Sequence, residues 1–352
     1  MALRLLGIVC VGLGLASAQP DSVARISIAA FGDVNLGRTV GQIILKGEID
    51  YPFEKVREYF SKQDIIFFNL ESQLSDQNGE TEDPKSNIVF CAPPVAAASV
   101  RRANVSVVST ANNHAFDYGM KGLRETITLL RSEGVSVAGT SFDSSAMFLP
   151  SVIERNSIRV GIVAYTQFVN KMESWDGRES WQGYISVFDS QRVQLEIEDV
   201  RKKADFVIAS YHGGREYADL PDSKTREEMR SLIDAGADLV VGHHPHVPQG
   251  IEEYKGRLIF HSLGNFVFHQ AAYWTQRGLG IEMQLEKQGG SARLSAVRLV
   301  PVQAGYQPAL SLSSTDRARL MKRIQSLSNV PLVVRDGQYF VQIPNSQAHN
   351  DN

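Results

Sequence analysis

The sequence predicts an α/β protein in which two packed mixed β-sheets are flanked by helices. Strand-like and helix-like segments alternate through most of the chain, whereas the segments from about residue 258 onward read as consecutive strands. The chain has 352 residues, of which 43% are hydrophobic and 21% are charged, so it can bury a large core. It contains no internal repeat and no linker-like stretch, which favours one large domain.

Five strands are predicted from short apolar, β-branched runs, each followed at once by Asp, Glu, Asn or His. In an open α/β sheet, ligands bind outside the carboxyl ends of the strands, so polar residues in these positions can converge on one point. The pattern therefore predicts a binding site at one edge of the sheets. The five runs are Ile26–Phe31, Ile65–Phe68, Val105–Thr110, Phe206–Tyr211 and Leu239–Gly242.

The remaining elements are predicted from helical periodicity and turn residues. Tyr118–Glu133 has apolar residues close to a 3.6-residue period, and Gly134 follows where a C-cap is expected. Ser72–Asn87 is polar and contains Gly and Pro, so it is predicted to be a surface loop. The other predicted helices are Pro94–Asn104, Ser190–Lys203 and Ser223–Ala235, and the other predicted strands are Val135–Ala138, Arg159–Tyr165, Leu258–Leu263, Gly278–Leu285 and Ala292–Val300.

The N-terminal segment has the pattern of a signal peptide. Arg4 precedes an apolar stretch, and Ala16-Ser17-Ala18 is a small-residue pattern suited to signal peptidase. We therefore expect residues 1–18 to be removed and the protein to be exported to the periplasm, the cell surface or the medium. An uncleaved membrane anchor is the alternative, although the apolar stretch is shorter than the roughly 20 residues that span a bilayer. After cleavage Cys91 is the one cysteine, which excludes an intramolecular disulfide.

The charge balance argues against nucleic acid as a partner. The formal net charge is −3, and no long block of Lys and Arg stands out. Proteins that bind nucleic acid through its phosphates present a basic face, for which this composition gives no sign.

The polar residues that follow the predicted strands are of the types that bind metal ions. A divalent ion needs several lone-pair donors from directions that no single segment can supply. Asp33 and Glu71 offer carboxylates, and a carboxylate can bridge two cations. His244 and His246 flank a proline that stiffens the turn between them. The residues that follow the predicted strands, among them Asn113 and His212, therefore describe a metal site.

The same residues carry a family resemblance. In chain order the motifs are Gly32-Asp33-Val34-Asn35-Leu36-Gly37-Arg38, Asn69-Leu70-Glu71, Ala111-Asn112-Asn113-His114-Ala115-Phe116-Asp117, His212-Gly213-Gly214-Arg215-Glu216, Gly242-His243-His244-Pro245-His246 and Leu263-Gly264-Asn265. The series resembles the CapA family, which is associated with bacterial poly-γ-glutamate capsule synthesis and is similar in fold to the calcineurin-like metallophosphoesterases. The resemblance implies a four-layer sandwich over residues 26–300, followed by a C-terminal extension over residues 301–352.

The resemblance also implies a pair of divalent ions with an acid–base pair beside them. Asp33, Glu71 and His246 would hold one ion, and Glu71, Asn113, His212 and His244 would hold the second. Two ions about 3.5–4 Å apart can activate a water and stabilise charge on a substrate oxygen. His114 would act as general acid, with Asp117 orienting its imidazole. The alternative role for Asp117, which is compatible with this one, is to cap the helix that begins near Tyr118.

The first motif departs from the metallophosphoesterase pattern. Those enzymes usually begin with Asp-x-His, whereas Asp33-Val34-Asn35 stands here. An amide oxygen from Asn35 moves the first site towards harder ions such as Mn²⁺ or Mg²⁺, or else leaves that site only partly filled. For the pair of ions Mn²⁺ is favoured, with Zn²⁺, Fe²⁺ and Mg²⁺ as the alternatives. Glu216 is expected to bind a metal or to order the ligands. His243 is expected on the surface or behind the ligands.

Substrate-binding residues are predicted in three places. Arg215 follows His212 and is suited to an anionic group. Asn265 belongs either to the pocket or only to a turn. Trp175 and Trp181 lie in an aromatic segment that would form a wall of the pocket or a surface flap packed on the body.

Three functions of different classes fit these residues. The first is a metal-dependent hydrolase or transferase at the cell envelope, acting on poly-γ-glutamate, another peptide-like polymer or a phosphoester, with capsule-synthesis membrane proteins as partners. The second is a non-catalytic component that binds the polymer. The third is a metal-dependent peptide epimerase, an activity found in some proteins that resemble CapA. His114 and Asp117 favour catalysis, because neither is needed merely to hold a metal.

Overall fold

The computed structural model describes residues 23–143, 150–170 and 180–344. The strands in this part of the chain are β1 (Ala24–Val34), β2 (Ile65–Leu70), β3 (Gln73–Leu74), β4 (Glu82–Asp83), β5 (Ser86–Ala92), β6 (Val107–Ser109), β7 (Ser136–Ala138), β8 (Ser151–Arg155), β9 (Ile158–Thr166), β10 (Phe206–His212), β11 (Leu239–His243), β12 (Ile251–Tyr254), β13 (Arg257–Phe260), β14 (Arg277–Gln288), β15 (Ser291–Gln303), β16 (Leu332–Arg335) and β17 (Gln338–Val341). The α-helices are α1 (Arg38–Leu45), α2 (Arg57–Phe60), α3 (Ala96–Arg102), α4 (Gly119–Ser132), α5 (Ser190–Arg201), α6 (Ser223–Asp234) and α7 (Ser314–Leu327). Short 3-10 helices cover Tyr51–Val56 and Trp274–Gln276.

The strands form two large mixed sheets and one small sheet. The eight-stranded sheet has the order β16-β17-β15-β14-β1-β2-β6-β7, and the six-stranded sheet has the order β12-β13-β11-β10-β9-β8. Parallel pairs join β1, β2, β6 and β7 in the first sheet, and β9, β10, β11 and β13 in the second. The carboxyl ends of β1, β2, β6, β10 and β11 carry the polar motifs, as the sequence predicts.

Hydrophobic residues fill three layers between these elements. Along β1, Ile26, Ile28 and Ala30 point into the core between the two sheets, whereas Ala29 and Phe31 point into the core beneath α1, α3 and α4. A third core lies between the six-stranded sheet and helices α5 and α6. Strands buried on both faces read as continuous apolar runs, which explains the predicted pattern. The layers run helix, sheet, sheet, helix, and the predicted fold class is confirmed.

The structure corrects the prediction that Ser72–Asn87 is a surface loop. This segment contains β3, β4 and the start of β5, which form a three-stranded sheet, and Gln73 and Thr81 within it are buried. Strands of two residues are too short to show a periodic pattern, so composition alone gave a loop. Helix α1 was also not predicted.

The chain after residue 300 joins the same body. β17 pairs with β15 through Arg298 and Phe340, so β16 and β17 extend the eight-stranded sheet. Helix α7 packs Leu320, Met321 and Ile324 into the core between the sheets. Within the described residues, no helix has the length and apolar character needed to span a membrane.

Gly32 permits a close backbone approach that places Asp33. The N–H of Asp33 donates to the carbonyl oxygen of Gly264 at 3.0 Å, and the pairing of β1 with β2 shifts register between Phe31 and Asp33. A Cβ atom at position 32 would lie 1.7 Å from the Gly264 oxygen. No side chain fits there unless the backbone moves.

We therefore expect Gly32→Ala to lower the free energy of unfolding by about 3 kcal/mol, at the upper end of overpacking costs. Urea unfolding of the metal-free protein measures this change. Gly290→Ala is the matched control, because a Cβ at that turn position meets no heavy atom within 4 Å. Equal stability of the two variants would show that Gly32 is not under this constraint.

Candidate metal centre

The structure brings the six predicted metal ligands together. Asp33 lies near the end of β1, Glu71 directly follows β2, and His212 ends β10. The other three lie in the loops after β6 and β11. All six are buried, and together they are Asp33, Glu71, Asn113, His212, His244 and His246.

Glu71 lies at the middle of this cluster. Its Oε1 is 3.9 Å from the Nε2 atoms of His114, His212 and His246. Neither carboxylate oxygen has a hydrogen-bond partner among the described residues, although the side chain is fully buried. A buried carboxylate is costly unless it is paired or coordinates a metal. This arrangement fits a cation between the carboxylate and the imidazoles.

Two sets of donor atoms share Glu71. One set is Asp33, Glu71 and His246, and the other is Glu71, His212 and His244; within each set the donor atoms lie within 4.8 Å of one another. Apart from Asn113, these sets contain the same residues as the two groups that the family resemblance implies. A carboxylate common to both can bridge a pair of divalent ions.

Asn265 fixes the orientation of His246. Its amide nitrogen donates to the carbonyl oxygen of Thr275 at 3.0 Å and to Gln270 at 3.1 Å, so its Oδ1 faces His246 Nδ1 at 2.9 Å. Because that oxygen can only accept, Nδ1 carries the proton and Nε2 presents its lone pair towards Glu71. Asn265, predicted as a pocket or turn residue, thus acts behind a predicted ligand.

We expect Asn265→Ala to weaken Mn²⁺ binding by about 10–100-fold, because residues that orient metal-bound histidines typically have effects of this size. Titration calorimetry of the metal-free protein with Mn²⁺ measures the change. The exposed Asn87 in β5 provides the control variant Asn87→Ala, which should bind Mn²⁺ as the wild type does. An unchanged affinity in Asn265→Ala would contradict the orienting role.

Two asparagines that sequence reasoning did not single out connect the ligands. The Asn112 amide nitrogen donates to the Leu70 carbonyl oxygen at 2.8 Å and to Asn69 Oδ1 at 3.1 Å. Asn69 in turn donates to Asp33 Oδ1 at 2.8 Å and faces His212 Nδ1 at 3.2 Å. The one feature of the sequence that points to these two asparagines is their position close to predicted ligands within the motifs.

The same network sets the proton on His212. Because Asn69 donates to Nδ1, Nε2 carries the proton and donates to Asn113 Oδ1 at 2.7 Å. The family resemblance assigns both Asn113 and His212 to the second ion, and in the structure these two side chains are hydrogen-bonded to each other. A cation at this position would replace the proton between the two atoms.

The turn that carries His244 and His246 is held in an unusual backbone conformation. His244 has φ +97° and His246 has φ +59°, values that cost energy for residues other than glycine. The His244 N–H donates to Asp33 Oδ2 at 3.2 Å, which ties the turn to β1. Such strain is typical of functional sites.

His243 lies behind Asp33 and not on the surface. Its side chain is fully buried, and its Nδ1 is 3.4 Å from Asp33 Oδ1. Its ring and the Phe67 ring make an edge-to-face contact. The surface alternative for His243 is therefore wrong, and the alternative behind the ligands describes its position.

His114 and Asp117 form a pair beside Glu71. His114 Nδ1 lies 2.8 Å from Asp117 Oδ2, which also accepts the Phe90 N–H at 2.8 Å. With Nδ1 bonded to Asp117, Nε2 faces the cluster. Helix α4 begins after Tyr118 without a side-chain cap, so the prediction that Asp117 caps this helix is wrong.

Gln73 locks the loop that carries this pair. Its amide nitrogen donates to the Ala115 carbonyl oxygen at 2.7 Å, and its oxygen accepts the Tyr118 N–H at 2.6 Å. Gln73 lies in β3, inside the segment predicted as a loop. Composition could not show that this polar side chain is buried against another loop.

Burial and neighbouring charges shift the acid–base behaviour of the cluster. Burial, and then the Asp33 carboxylate, raises the pKa of Glu71 well above its ordinary value. Burial would raise the pKa of Asp33, but His243, His246 and Asn69 hold it below the ordinary value. Burial and then His246 lower the pKa of His244 to about 3. The imidazole is therefore neutral at pH 7, as metal ligation requires.

The other predicted residues lie around or outside this cluster. Asn35 Oδ1 accepts the Gly37 N–H at 2.8 Å, which gives it a local role before α1. Arg215 and Glu216 are exposed, and Glu216 interacts electrostatically with Glu71 and His246. Trp181 is half-buried and packs against the core beneath α4. Trp175 lies outside the described residues.

The fold and the cluster define a protein of the α/β sandwich class with buried carboxylate and imidazole groups that can hold a metal ion. The chain belongs to the family of bacterial capsule synthesis proteins (PGA_cap), whose family model matches residues 27–270. The resemblance to CapA proteins that the motifs indicate is thereby confirmed.

Known relatives match most of the chain. The PGA biosynthesis protein CapA of Bacillus subtilis is 28% identical over 91% of this chain and 83% of its own length. The capsule biosynthesis protein CapA of Bacillus anthracis is 28% identical over 85% of this chain and 73% of its own length. A probable polyglutamine synthesis accessory protein of Mycobacterium tuberculosis is 27% identical over 88% and 85%, respectively. The crystal structure of the calcineurin-like phosphoesterase YfkN from Bacillus subtilis aligns over 87% of this chain and 98% of that chain, with 15% identity and a TM-score of 0.46.

Proposed function

We propose that this protein is a metal-dependent hydrolase or transferase that acts on poly-γ-glutamate, or a related peptide-like polymer, during capsule synthesis. The observation that carries this proposal is Glu71, a fully buried carboxylate without a hydrogen-bond partner in the described structure, 3.9 Å from three imidazoles. The names of the Bacillus relatives support the polymer and the process.

The donor set is suited to two divalent ions, with Mn²⁺ favoured by its carboxylate, amide and imidazole composition. Asp33, Glu71 and His246 would hold one ion, and Glu71, Asn113, His212 and His244 would hold the other. When bound, such a pair activates water and stabilises the charge that develops on a reacting carbonyl oxygen.

His114 would supply the proton that the leaving amine needs. Its Nε2 faces the cluster, while Asp117 holds the ring through Nδ1 at 2.8 Å. A buried carboxylate in this position orients the imidazole and stabilises its charged form. Neither residue belongs to the two donor sets, which supports catalysis over a site that only holds metal ions.

We also propose that the protein works at the cell envelope. The N-terminal pattern supports export through a signal peptide that ends at residue 18. Capsule-synthesis membrane proteins are the partners that this location favours.

The proposal is tested by incubating the purified, Mn²⁺-loaded protein with poly-γ-glutamate and following chain length, stereochemistry and free amines. We expect shortened or transferred chains, and no reaction after removal of metal with EDTA. Binding of intact polymer without any change would support the non-catalytic role, and a change of stereochemistry without cleavage would support the epimerase. Hydrolysis of p-nitrophenyl phosphate alone would indicate a phosphoesterase and contradict the proposal.

A further inference from the structure

Arg38 lies beside the metal centre, at the start of α1. Its guanidinium carbon is 4.4 Å from the centroid of the Phe90 ring, and the centroid of the same ring is 4.2 Å from that of the His114 imidazole. The guanidinium and the imidazole proposed to transfer a proton therefore both pack against the same aromatic ring.

The backbone of Arg38 is held in a strained conformation. Its φ is +49°, in the left-handed region that residues other than glycine rarely adopt. The Arg38 N–H donates to the Thr81 carbonyl oxygen at 2.7 Å, and the Thr81 hydroxyl donates back to the Arg38 carbonyl oxygen at 2.9 Å. Thr81 is buried, so this clamp fixes the direction in which the Arg38 side chain leaves the chain. Strain kept in this way marks functional positions.

The guanidinium retains free donor capacity. Its Nε is buried without a hydrogen-bond partner in the described structure, because the nearest carboxylate oxygen, Glu82 Oε2, is 3.6 Å away. The Arg38 side chain is 29% exposed, whereas that of Glu82 is 49% exposed. A partly desolvated guanidinium attracts anions more strongly than a solvated one, and its planar donors match a carboxylate.

Aromatic rings complete the surroundings of the site. The Phe168 ring lies 5.1 Å from that of His244, and the Tyr217 ring lies 6.1 Å from that of His246. Both residues are partly exposed, Phe168 at 36% and Tyr217 at 53%. They offer apolar surface to methylene groups of a bound chain.

We propose that Arg38 binds a carboxylate of the substrate polymer next to the reacting bond and so determines specificity for acidic chains. This inference rests on the proposed function. In a γ-linked glutamate chain the free carboxylate is attached to the carbon that carries the amide nitrogen, so every reacting bond has an anionic group close by. Because Arg38 and His114 pack against the same ring, we place this anionic group at Arg38 when the amide nitrogen faces that histidine.

The alternative role for Arg38 is a structural ion pair with Glu82. An ion pair at 3.6 Å with a half-exposed Glu82 contributes little to stability, and such a pair predicts that loss of either partner has the same effect. Carboxylate binding predicts the opposite for the two residues, because removal of Glu82 leaves the cation free and removes a competing anion.

The test is calorimetric binding of a γ-linked glutamate pentamer, and of its methyl ester, to Mn²⁺-loaded protein carrying His114→Ala so that the ligand is not consumed. We expect Arg38→Gln to weaken binding of the acidic pentamer by roughly tenfold or more, in line with a lost charge-assisted bond. Binding of the ester should not change. Glu82→Gln should bind the acidic pentamer at least as tightly as the parent. Arg155→Gln is the matched control, since Arg155 is the exposed last residue of β8, at the opposite end of the sheet from the cluster.

The inference would be overturned if Arg38→Gln bound the acidic pentamer as tightly as the parent does. It would also be overturned if the substitution weakened binding of the acidic pentamer and of the ester equally, or if the parent did not bind the acidic pentamer. Weakened binding of phenyl phosphate alone would assign Arg38 to a phosphoester and overturn it too. Binding is measured without turnover, so the two proposals fail separately. A protein that binds but never cleaves contradicts the proposed function, whereas one that cleaves while Arg38→Gln binds normally contradicts this inference.

Discussion

Glu71→Gln is expected to abolish binding of both metal ions and, in the metal-free protein, to stabilise the fold. Glu71 is the one residue common to both donor sets, so its loss removes negative charge from each. We expect Mn²⁺ affinity to fall well beyond the roughly 10–100-fold that residues behind the ligands contribute. Calorimetry and metal analysis of the purified variant measure this loss.

The stabilisation follows from the raised pKa of Glu71, caused first by burial and then by Asp33. A group whose pKa is higher in the folded state contributes stability below its ordinary pKa, and this stability is lost as the pH rises towards the folded value. Gln at position 71 cannot ionise, so the variant does not lose this stability as the pH rises. In EDTA, the advantage of Glu71→Gln should therefore grow with pH above about 4.5, by at most about 1.4 kcal/mol per pH unit.

Urea unfolding in EDTA at pH 5.5 and pH 8 measures that advantage. Glu48→Gln, at an exposed position, is the control and should match the wild type in stability and Mn²⁺ binding. An advantage that is the same at both pH values would show that Glu71 is not ionised at a cost in the folded protein. Retained Mn²⁺ binding by Glu71→Gln would show that Glu71 is not a metal ligand.

His114→Ala is expected to lower kcat on poly-γ-glutamate by about 10²–10⁴-fold while the metal content stays unchanged. The metal should remain because His114 is not in either donor set. Asp117→Asn should also lower the rate and change its pH profile, because an amide can donate to His114 Nδ1 and move the ring proton to Nε2. Steady-state kinetics with parallel metal analysis separates the two effects.

His269→Ala is the matched histidine control, because His269 is exposed and stacks on Tyr306. It should leave the rate and the metal content as they are in the wild type. If His114→Ala instead lost metal and rate in proportion, His114 would be a ligand and not the proton donor. An unchanged rate would favour polymer binding without catalysis.

Strand geometry is the reason that the sequence predicts a binding site at this edge of the sheets. Glu71 directly follows a strand of one sheet, and His212 ends a strand of the other sheet. The parallel strands of a sheet all end at the same edge, and ligands bind outside that edge. The strands could be read because they are buried on both faces and thus continuously apolar, as along β1. The order of motifs then relates each ligand to the family pattern.

The supporting residues could not be predicted in the same way. Asn69, Asn112 and Gln73 act through partners distant in the chain, and a polar residue after a strand looks the same whether it binds a metal or another amide. The sequence does not decide whether Asn265 is a pocket residue or a turn residue. The atoms of Thr275 and Gln270 that orient its side chain are brought near it only by the folded loop.

Short and irregular elements could not be predicted for a related reason. The two-residue strands β3 and β4 have no period that a sequence can display, yet β3 carries Gln73 and the turn before β4 carries Thr81. His243 follows an apolar run and precedes two predicted ligands. Its depth depends on the packing of β11 against β1, which composition does not encode.

The most direct measurement of the central claim is electron paramagnetic resonance of the protein titrated with Mn²⁺. The shared carboxylate predicts two Mn²⁺ ions per chain that are magnetically coupled, and loss of the coupled signal in Glu71→Gln but not in His114→Ala. An uncoupled single ion, or a coupled signal that survives in Glu71→Gln, would contradict a metal pair bridged by Glu71.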